Sequence, residues 1–518
     1  MYTEHLPEMA KVIKGRYLFN ILGTVIIAIW LIMLGLLVKN TEFKDQPGEN
    51  IANSVMSVDS VQREWKEIFL NDKKVGYSVD LIRPIEKGYY IQEEIFLKLN
   101  LMGMGMGLYA ITYSNVDERF VLKDFSFKMN SGVVNYNISG KVEGNQMLIR
   151  TGEGRHRKTE SISLSEPPMI DAGIEYLFKT LKIDIGNTYK LPFFDPSTMA
   201  QKEILFKVVS REPLKINKIT YDAFRVETEM WGNIMTFWLD EDGTILKEEG
   251  FMGLVMIKSS AANAPMDIEG GGGEDFYEMT AVPVERKLPN PSRLVYLKLK
   301  VDGVDSSNID IAAWDGGRQK YNNGIMEISR EEKPLKSSYS IPYKNQDDDL
   351  APFLKSEFNI ESDSDEIREM AANILGKEKD AVAASERLTS WVYNNLDKRP
   401  VISIPSALDV LRTRTGDCNE HATLLTALLR ASGIPARLSV GLVYSRNKFF
   451  YHAWTEAYMG EWISMDATLN QLPADVSHIR LISGNIDKQI EIMGLIGKLK
   501  LEVLNFEYDR SNRLDEDI

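Results

Sequence analysis

The sequence predicts an α+β chain: an N-terminal transmembrane helix, an antiparallel curved β-sheet domain, a small β domain and a compact C-terminal α+β domain. Three observations predict it. Tyr17 to Val38 is an uncharged apolar run. Residues 62–258 alternate in short runs with turn residues between them. From Asp363 apolar residues recur at helical spacing, and strands follow one long helix.

A chain of 518 residues exceeds one core and should hold about three folded units. Its 44% hydrophobic and 26% charged content is ordinary for globular protein. A formal charge of -14 excludes a nucleic-acid binder, which would gather basic residues on one face. The short basic run Arg155-His156-Arg157-Lys158 reads as a solvated turn.

At about 1.5 Å per residue, about 20 apolar residues cross a bilayer core, so residues 17–38 are expected to span it. No A-x-A-like site follows Leu37-Val38-Lys39-Asn40, so the anchor is expected to be retained. Lys11, Lys14 and Arg16 precede the span, against Lys39 and Lys44 after it. That bias puts residues 1–16 in the cytoplasm. The expected location is therefore the inner membrane, single-pass, with the C-terminal domains periplasmic or otherwise extracytoplasmic.

Within the β region, Trp65–Leu70 and Val75–Val79 flank Asn71-Asp72-Lys73-Lys74 as strand, turn, strand. Asp242-Gly243 between Met235–Leu239 and Thr244–Lys247 is a strong hairpin signal, because Gly accepts positive φ. Asp171 to Leu181 reads as a helix laid against the sheet. Leu101-Met102-Gly103-Met104-Gly105-Met106-Gly107 reads as a sheet face with methionines inward and glycines where another backbone approaches. An adaptable apolar groove is the alternative. Residues 259–275, with Gly270-Gly271-Gly272-Gly273, form a linker too poor in apolar residues to fold. Residues 276–345 should form the small β domain, opened by the alternating run Arg293–Leu299.

Residues 360–510 should form the C-terminal domain. Ile367, Met370, Ala371, Ile374 and Leu375 mark one helix, and Asp380 can cap a second through Leu388, Trp391, Val392 and Leu396. Then comes Cys418, the sole cysteine. Asp417 at N-cap and Glu420 at N3 have capping-box spacing. The helix should run from Cys418 to about Ser432, with Gly433 left-handed and Pro435 barring continuation. A thiol at the first helical position meets the positive end of the helix dipole, which favours thiolate. The free N–H groups there could also bind an oxyanion.

His452 lies in a strand by the alternation of Phe449 to Tyr458. Taking Tyr458-Met459-Gly460 as a three-residue loop pairs Ala457 with Glu461. Counting along the ladder then sets His452 opposite Asp466, on one face. Each residue alone has a duller reading: a small buried thiol, a satisfied core histidine, a turn cap. Together they read as nucleophile, base and orienting group. His421 could tune the thiol or line the pocket; as half a zinc site it lacks a second ligand pair at the right spacing. Trp454 and Trp462 read as core or cleft wall.

These residues carry a resemblance. Thr415–Ala422, Leu429–Arg437, Gly441, His452-Ala453-Trp454 and Trp462–Thr468, with Ala407–Leu411 before them, resemble the core of the transglutaminase-like superfamily, whose bacterial members have a papain-like fold. The resemblance covers about Asp363 to Leu472. It implies a Cys418–His452–Asp466 catalytic triad: Cys418 attacks an amide carbonyl, His452 transfers protons and Asp466 orients His452. The acyl group then passes to an amine or to water. Asn419 stands where animal cross-linking enzymes have tryptophan, which favours the bacterial branch and leaves hydrolysis as open as cross-linking. No calcium loop of alternating carboxylates is visible, so no metal or cofactor is expected. The expected partners are a protein or peptide substrate and the membrane, with envelope proteins as further candidates and no nucleic acid. The alternative is a catalytically silent peptide-binding or envelope-scaffold protein. The β region resembles periplasmic curved-sheet domains of the lipoprotein-carrier type.

Overall fold

The computed structural model describes residues 59–132, 134–152, 158–196, 199–269, 275–304, 310–344, 349–404, 406–484 and 490–509. Fourteen strands between Gln62 and Ser259 make one antiparallel sheet. Its first strand, Gln62–Leu70, lies mid-sheet, between Lys73–Ile85 and the last strand, Leu254–Ser259. The edges are Lys158–Ser163 and Thr188–Asp195. The sheet curls over one large core that includes Ile82, Ile91, Phe125, Phe206 and Leu239, plus Ile174 and Leu177 of the helix Asp171–Phe178.

Turn chemistry sets the hairpins. Asn71 and Asp72 both take positive φ, at 47° and 62°, as a two-residue turn of this hand requires. At the other hairpin, Asp240 Oδ1 accepts from Asp242 N and Thr244 N, and Gly243 has φ 76°.

Lys66 is buried under the helix Asp171–Phe178 and pairs with Glu175 at 2.9 Å, Glu248 at 2.8 Å and Asp80 at 3.6 Å. Burial and the neighbouring carboxylates push Asp80 up to about 7, although Lys66 opposes them.

Four expectations need correction. First, strands far outweigh helix over the described residues, so the fold is mostly β rather than an anchored α+β chain. The physical reason is the continuous sheet, whose fourteen strands take in most of residues 62–259. Second, the transmembrane helix expected over residues 17–38 lies outside the described residues. No helix among the described residues is long and apolar enough to cross a membrane. The inner-membrane location rested on that helix, and no helix among the described residues supports it.

Third, Met102 and Met104 stand at a hairpin tip, 48% and 46% exposed, and not inward. A Cβ on Gly103 or Gly105 would meet nothing within 4 Å, so no backbone approaches there. Fourth, the first part of the supposed unfolded linker is seated on the sheet. Ala264 is fully buried, Lys74 Nζ donates to Asn263 O at 2.8 Å, and Glu269 N donates to Lys74 O. Backbone hydrogen bonds, more than apolar area, order this stretch.

A four-stranded sheet joins Leu294–Asp302, Gln319–Asn322 and Ile325–Ser329 with the C-terminal strand Lys500–Tyr508. A third sheet contains Val282–Pro283, Lys448–Tyr458, Ala436–Ser445 and Ile479–Ser483, with Trp462–Met465 paired to Lys448–Tyr458. Helices Asp365–Leu375, Ala381–Asn395 and Ala407–Thr413 surround a buried helix, Cys418–Ala431, that packs on this sheet.

Candidate active site

Cys418 starts its helix through a complete capping box. Asp417 Oδ1 accepts from Asn419 N at 3.2 Å, and Glu420 Oε2 accepts from Asp417 N at 2.8 Å. Gly416 makes room for it: a Cβ there would lie 2.3 Å from the Glu420 side chain. At the far end Ser432 is the C-cap and Gly433 takes φ 77°. Cys418 is half-buried.

The thiol meets opposing influences. Burial pushes it well above the usual thiol range, the Asp417 carboxylate adds to that, and the Ala453 N–H works against them. The expectation that a helix start alone favours thiolate is thus opposed locally. Burial, however, penalises a lone thiolate. A proton passed to a neighbouring imidazole leaves a net-neutral pair, which burial penalises far less. Asp417 is itself pushed up by burial and by Glu420, which reduces its negative charge beside the thiol.

His452 and Asp466 are brought together: His452 Nε2 lies 2.7 Å from Asp466 Oδ2, with both side chains buried. The ladder differs by one step from the expected one. Tyr458 pairs with Trp462 and Thr455 with Met465, so the loop is Met459–Glu461. Continuing that register sets Trp454 opposite Asp466, and His452 is its diagonal neighbour on the same face. Cys418 and His452 share no hydrogen bond among the described residues. The link between them is Ala453, next to His452 on the strand, whose N–H acts on the thiol. Nε2 is the nitrogen of His452 turned to Asp466, and Nδ1 is the other ring nitrogen.

Asp466 is held on all sides. Oδ2 also faces His478 Nε2 at 3.1 Å, while Oδ1 accepts from Thr468 N at 2.6 Å and Leu469 N at 3.1 Å. Burial would raise this carboxyl, but the two imidazoles overcome it and hold it well below the usual carboxylate range. His478 is fully buried and stands edge-on to Trp454 and His452, with ring centroids 5.3 Å and 5.6 Å away. Sequence reading missed His478 and Asp475. Their signal is the i, i+3 pair that follows Asp466 in a loop, without strand or helix periodicity to place it.

Gly441, opposite His452 in the register, has a definite reason: a Cβ there would lie 1.8 Å from Ile479 O. His421 is fully buried, with Nδ1 2.6 Å from Asp417 O, and Nε2 has no hydrogen-bond partner. Burial lowers its pKa. It is a packed neutral histidine under the cap. Trp454 stacks on His452 at 6.3 Å, whereas Trp462 lies under the Arg437 guanidinium at 4.2 Å. Tyr277 stacks on Phe450 at 4.9 Å and 11°; burial and then the Cys418 and Asp417 charges raise its phenol.

Among the described residues, His452, Asp466 and His478 are the one group of three such side chains close enough to share an ion, with ligand atoms within 4.8 Å of one another. Their mutual hydrogen bonds satisfy these atoms without one.

Residues 368–467 match the family model of the transglutaminase-like superfamily, and residues 118–262 match that of a protein of unknown function, DUF3108. An uncharacterized protein of Haemophilus influenzae is 26% identical over 143 residues, which is 25% of this chain and 38% of that protein. The chain thus spans well under two thirds of that relative. A candidate cysteine protease of Cytophaga hutchinsonii is 22% identical, covering 42% of this chain and 85% of the other, with TM-score 0.28. The periplasmic domain of TgpA from Pseudomonas aeruginosa, solved with ethylmercury, is 16% identical over 40% of this chain and 90% of the other, with TM-score 0.22. A beta-barrel-like protein of the DUF1849 domain from Brucella abortus is 14% identical over 38% and 94%, with TM-score 0.30. The chain carries a transglutaminase-like superfamily domain at residues 368–467.

Proposed function

We propose that the domain is a thiol enzyme that transfers or hydrolyses the acyl group of a protein or peptide amide through Cys418, His452 and Asp466. The carrying observation is the 2.7 Å bond from His452 Nε2 to Asp466 Oδ2, which fixes the ring with Nδ1 free for the thiol proton. Cys418 Sγ attacks the carbonyl carbon as its proton passes to His452. The imidazolium then returns that proton to the leaving amine, leaving a thioester. An amine or water attacks the thioester, and His452 repeats the exchange. Asn419 N and Glu420 N are committed to the Asp417 side chain and His421 N to Asp417 O, so the Cys418 N–H is the donor left for the oxyanion.

A silent peptide-binding domain is the second reading, favoured by the raised thiol and the lack of a Cys418–His452 hydrogen bond. One experiment separates the two. The purified chain is given a labelled primary amine with a protein acceptor, and separately a glutaminyl peptide whose ammonia release is followed, with Cys418→Ala as control. Turnover that Cys418→Ala abolishes supports the enzyme. Peptide binding retained by Cys418→Ala, with no turnover in either chain, supports the silent domain.

A further inference from the structure

Among the described residues, His478 is the buried ionisable group in hydrogen-bond contact with Asp466 that the proposed chemistry leaves unused. Its Nε2 lies 3.1 Å from Asp466 Oδ2, and its Nδ1 lies 3.2 Å from Asp475 Oδ1 and 3.3 Å from Asp475 O. Every facing atom is an acceptor. A neutral imidazole has one N–H and one lone pair, so one ring nitrogen would point its lone pair at an oxygen. His478 is 0% exposed, so no surface water relieves that contact. Flipping the ring does not help, because it sets carbon atoms against both carboxylates. Only the doubly protonated ring satisfies both sides.

We propose that His478 is a fixed imidazolium that shares Asp466 with His452, a positioning residue that neutralises and orients the Asp466 carboxylate. The inference rests on the reading of Asp466 and His452 as the working pair. Asp466 Oδ2 accepts from two imidazoles at once. With one of them permanently charged, the buried carboxylate is balanced before any proton reaches His452. The proton that His452 takes from Cys418 is then not trapped by an unbalanced anion, and it can be given to the leaving group.

The surroundings agree with a fixed cation. The groups facing His478 are Asp466, Asp475, the rings of His452 and Trp454, and Arg318 at its carbonyl. Burial would lower its pKa, but the bonds to Asp466 and Asp475 overcome this and raise it to about 9. Asp475 is fixed in turn by Ser477 N at 2.9 Å and Gln471 Nε2 at 2.9 Å. The loop itself is clamped from the four-stranded sheet. Arg318 Nη1 donates to Ala474 O at 2.6 Å and Nη2 donates to His478 O at 3.0 Å, while Gln319 Oε1 accepts from Arg480 N at 2.9 Å. The small sheet thereby reaches the catalytic pair through one loop.

The test uses the whole chain. With five histidines in the sequence, ¹⁵N-histidine labelling and single substitutions assign each ring. The expected spectrum at neutral pH shows hydrogen on both ring nitrogens of His478; a bare nitrogen would overturn the proposal, as would a stoichiometric metal ion in the purified protein. This measurement needs no variant at His478 to fold. A second readout is the pH dependence of Cys418 alkylation by iodoacetamide. His478→Gln removes a cation from the site, so the midpoint should move up by about one pH unit, with a smaller shift in the same direction for Asp475→Asn. A change in rate with an unmoved midpoint would assign His478 a packing role only and overturn the charge. If alkylation is indifferent to His452→Ala while His478 carries both hydrogens, the catalytic reading fails and the imidazolium stands. If alkylation depends on His452 and His478 is neutral, this inference fails alone.

Discussion

Asp466→Asn is the substitution whose consequences follow most directly from the geometry. The carboxylate receives four hydrogen bonds: His452 Nε2 at 2.7 Å and His478 Nε2 at 3.1 Å on Oδ2, Thr468 N at 2.6 Å and Leu469 N at 3.1 Å on Oδ1. An amide offers one acceptor atom in place of two. If its NH₂ takes the Oδ2 place, it faces two imidazole N–H groups; if it takes the Oδ1 place, it faces two backbone N–H groups. Either way two buried donors lose their acceptor. At about 1–3 kcal/mol per orphaned donor, the cost is about 2–6 kcal/mol, a large share of the roughly 5–15 kcal/mol that holds a domain folded. His452 can relieve its clash by moving its hydrogen to Nδ1, the atom needed as base. The catalytic loss is therefore larger than the stability loss, on the order of 10⁴ by analogy with the same change in a serine triad. Thermal unfolding and Cys418 alkylation should be followed in parallel. A variant with unchanged melting temperature and alkylation within about threefold of the parent would refute this account of Asp466.

Other outcomes follow from the same structure. Gly441→Ala should lower stability by about 2–4 kcal/mol, read by denaturant unfolding, because its Cβ would lie 1.8 Å from Ile479 O. Gly105→Ala, with nothing within 4 Å, is the neutral control. Stability should also depend on pH through the Asp466–His478 pair. The depressed Asp466 contributes above its unfolded pKa of about 3.9 and loses that contribution as pH falls. The raised His478 contributes fully below about 6.5, and that contribution is lost as pH climbs towards about 9. Urea unfolding between those two values should therefore show a decline of up to roughly 3 kcal/mol, absent in His478→Gln. Lys66→Met leaves Asp80, Glu175 and Glu248 without their cation and should cost about 3–5 kcal/mol at neutral pH, measured by calorimetry.

The legible parts of the chain were those governed by local rules. Asp417 and Glu420 announce a helix start because cap chemistry depends on four consecutive residues, and the capping box forms as spaced. The His452–Asp466 contact was legible despite a wrong loop. Moving the loop by one residue changes both strand ends together, so the partner of Asp466 moves from His452 to Trp454, two positions along and on the same face. Side-chain parity survived, and the long imidazole reached the diagonal neighbour.

What stayed hidden depends on contacts remote in sequence. His478 sits in a loop, and nothing in Asp475-Val476-Ser477-His478 shows that it returns to Asp466. The strand Lys500–Tyr508 completes a sheet begun at Leu294, a pairing set by tertiary packing. Gly441 matters because of Ile479 O, an atom that no window around Gly441 contains. The methionines of the hairpin tip were misplaced because alternation fixes which residues share a face, not which face is covered.

The central claim is that His452 draws the proton from Cys418. Its most direct test is the second-order rate of Cys418 alkylation by iodoacetamide at neutral pH, in the parent chain and in His452→Ala. The account predicts a parent thiol faster than free cysteine and a fall of about 10²-fold or more in the variant. A thiol no faster than free cysteine, with the same rate in His452→Ala, would contradict it.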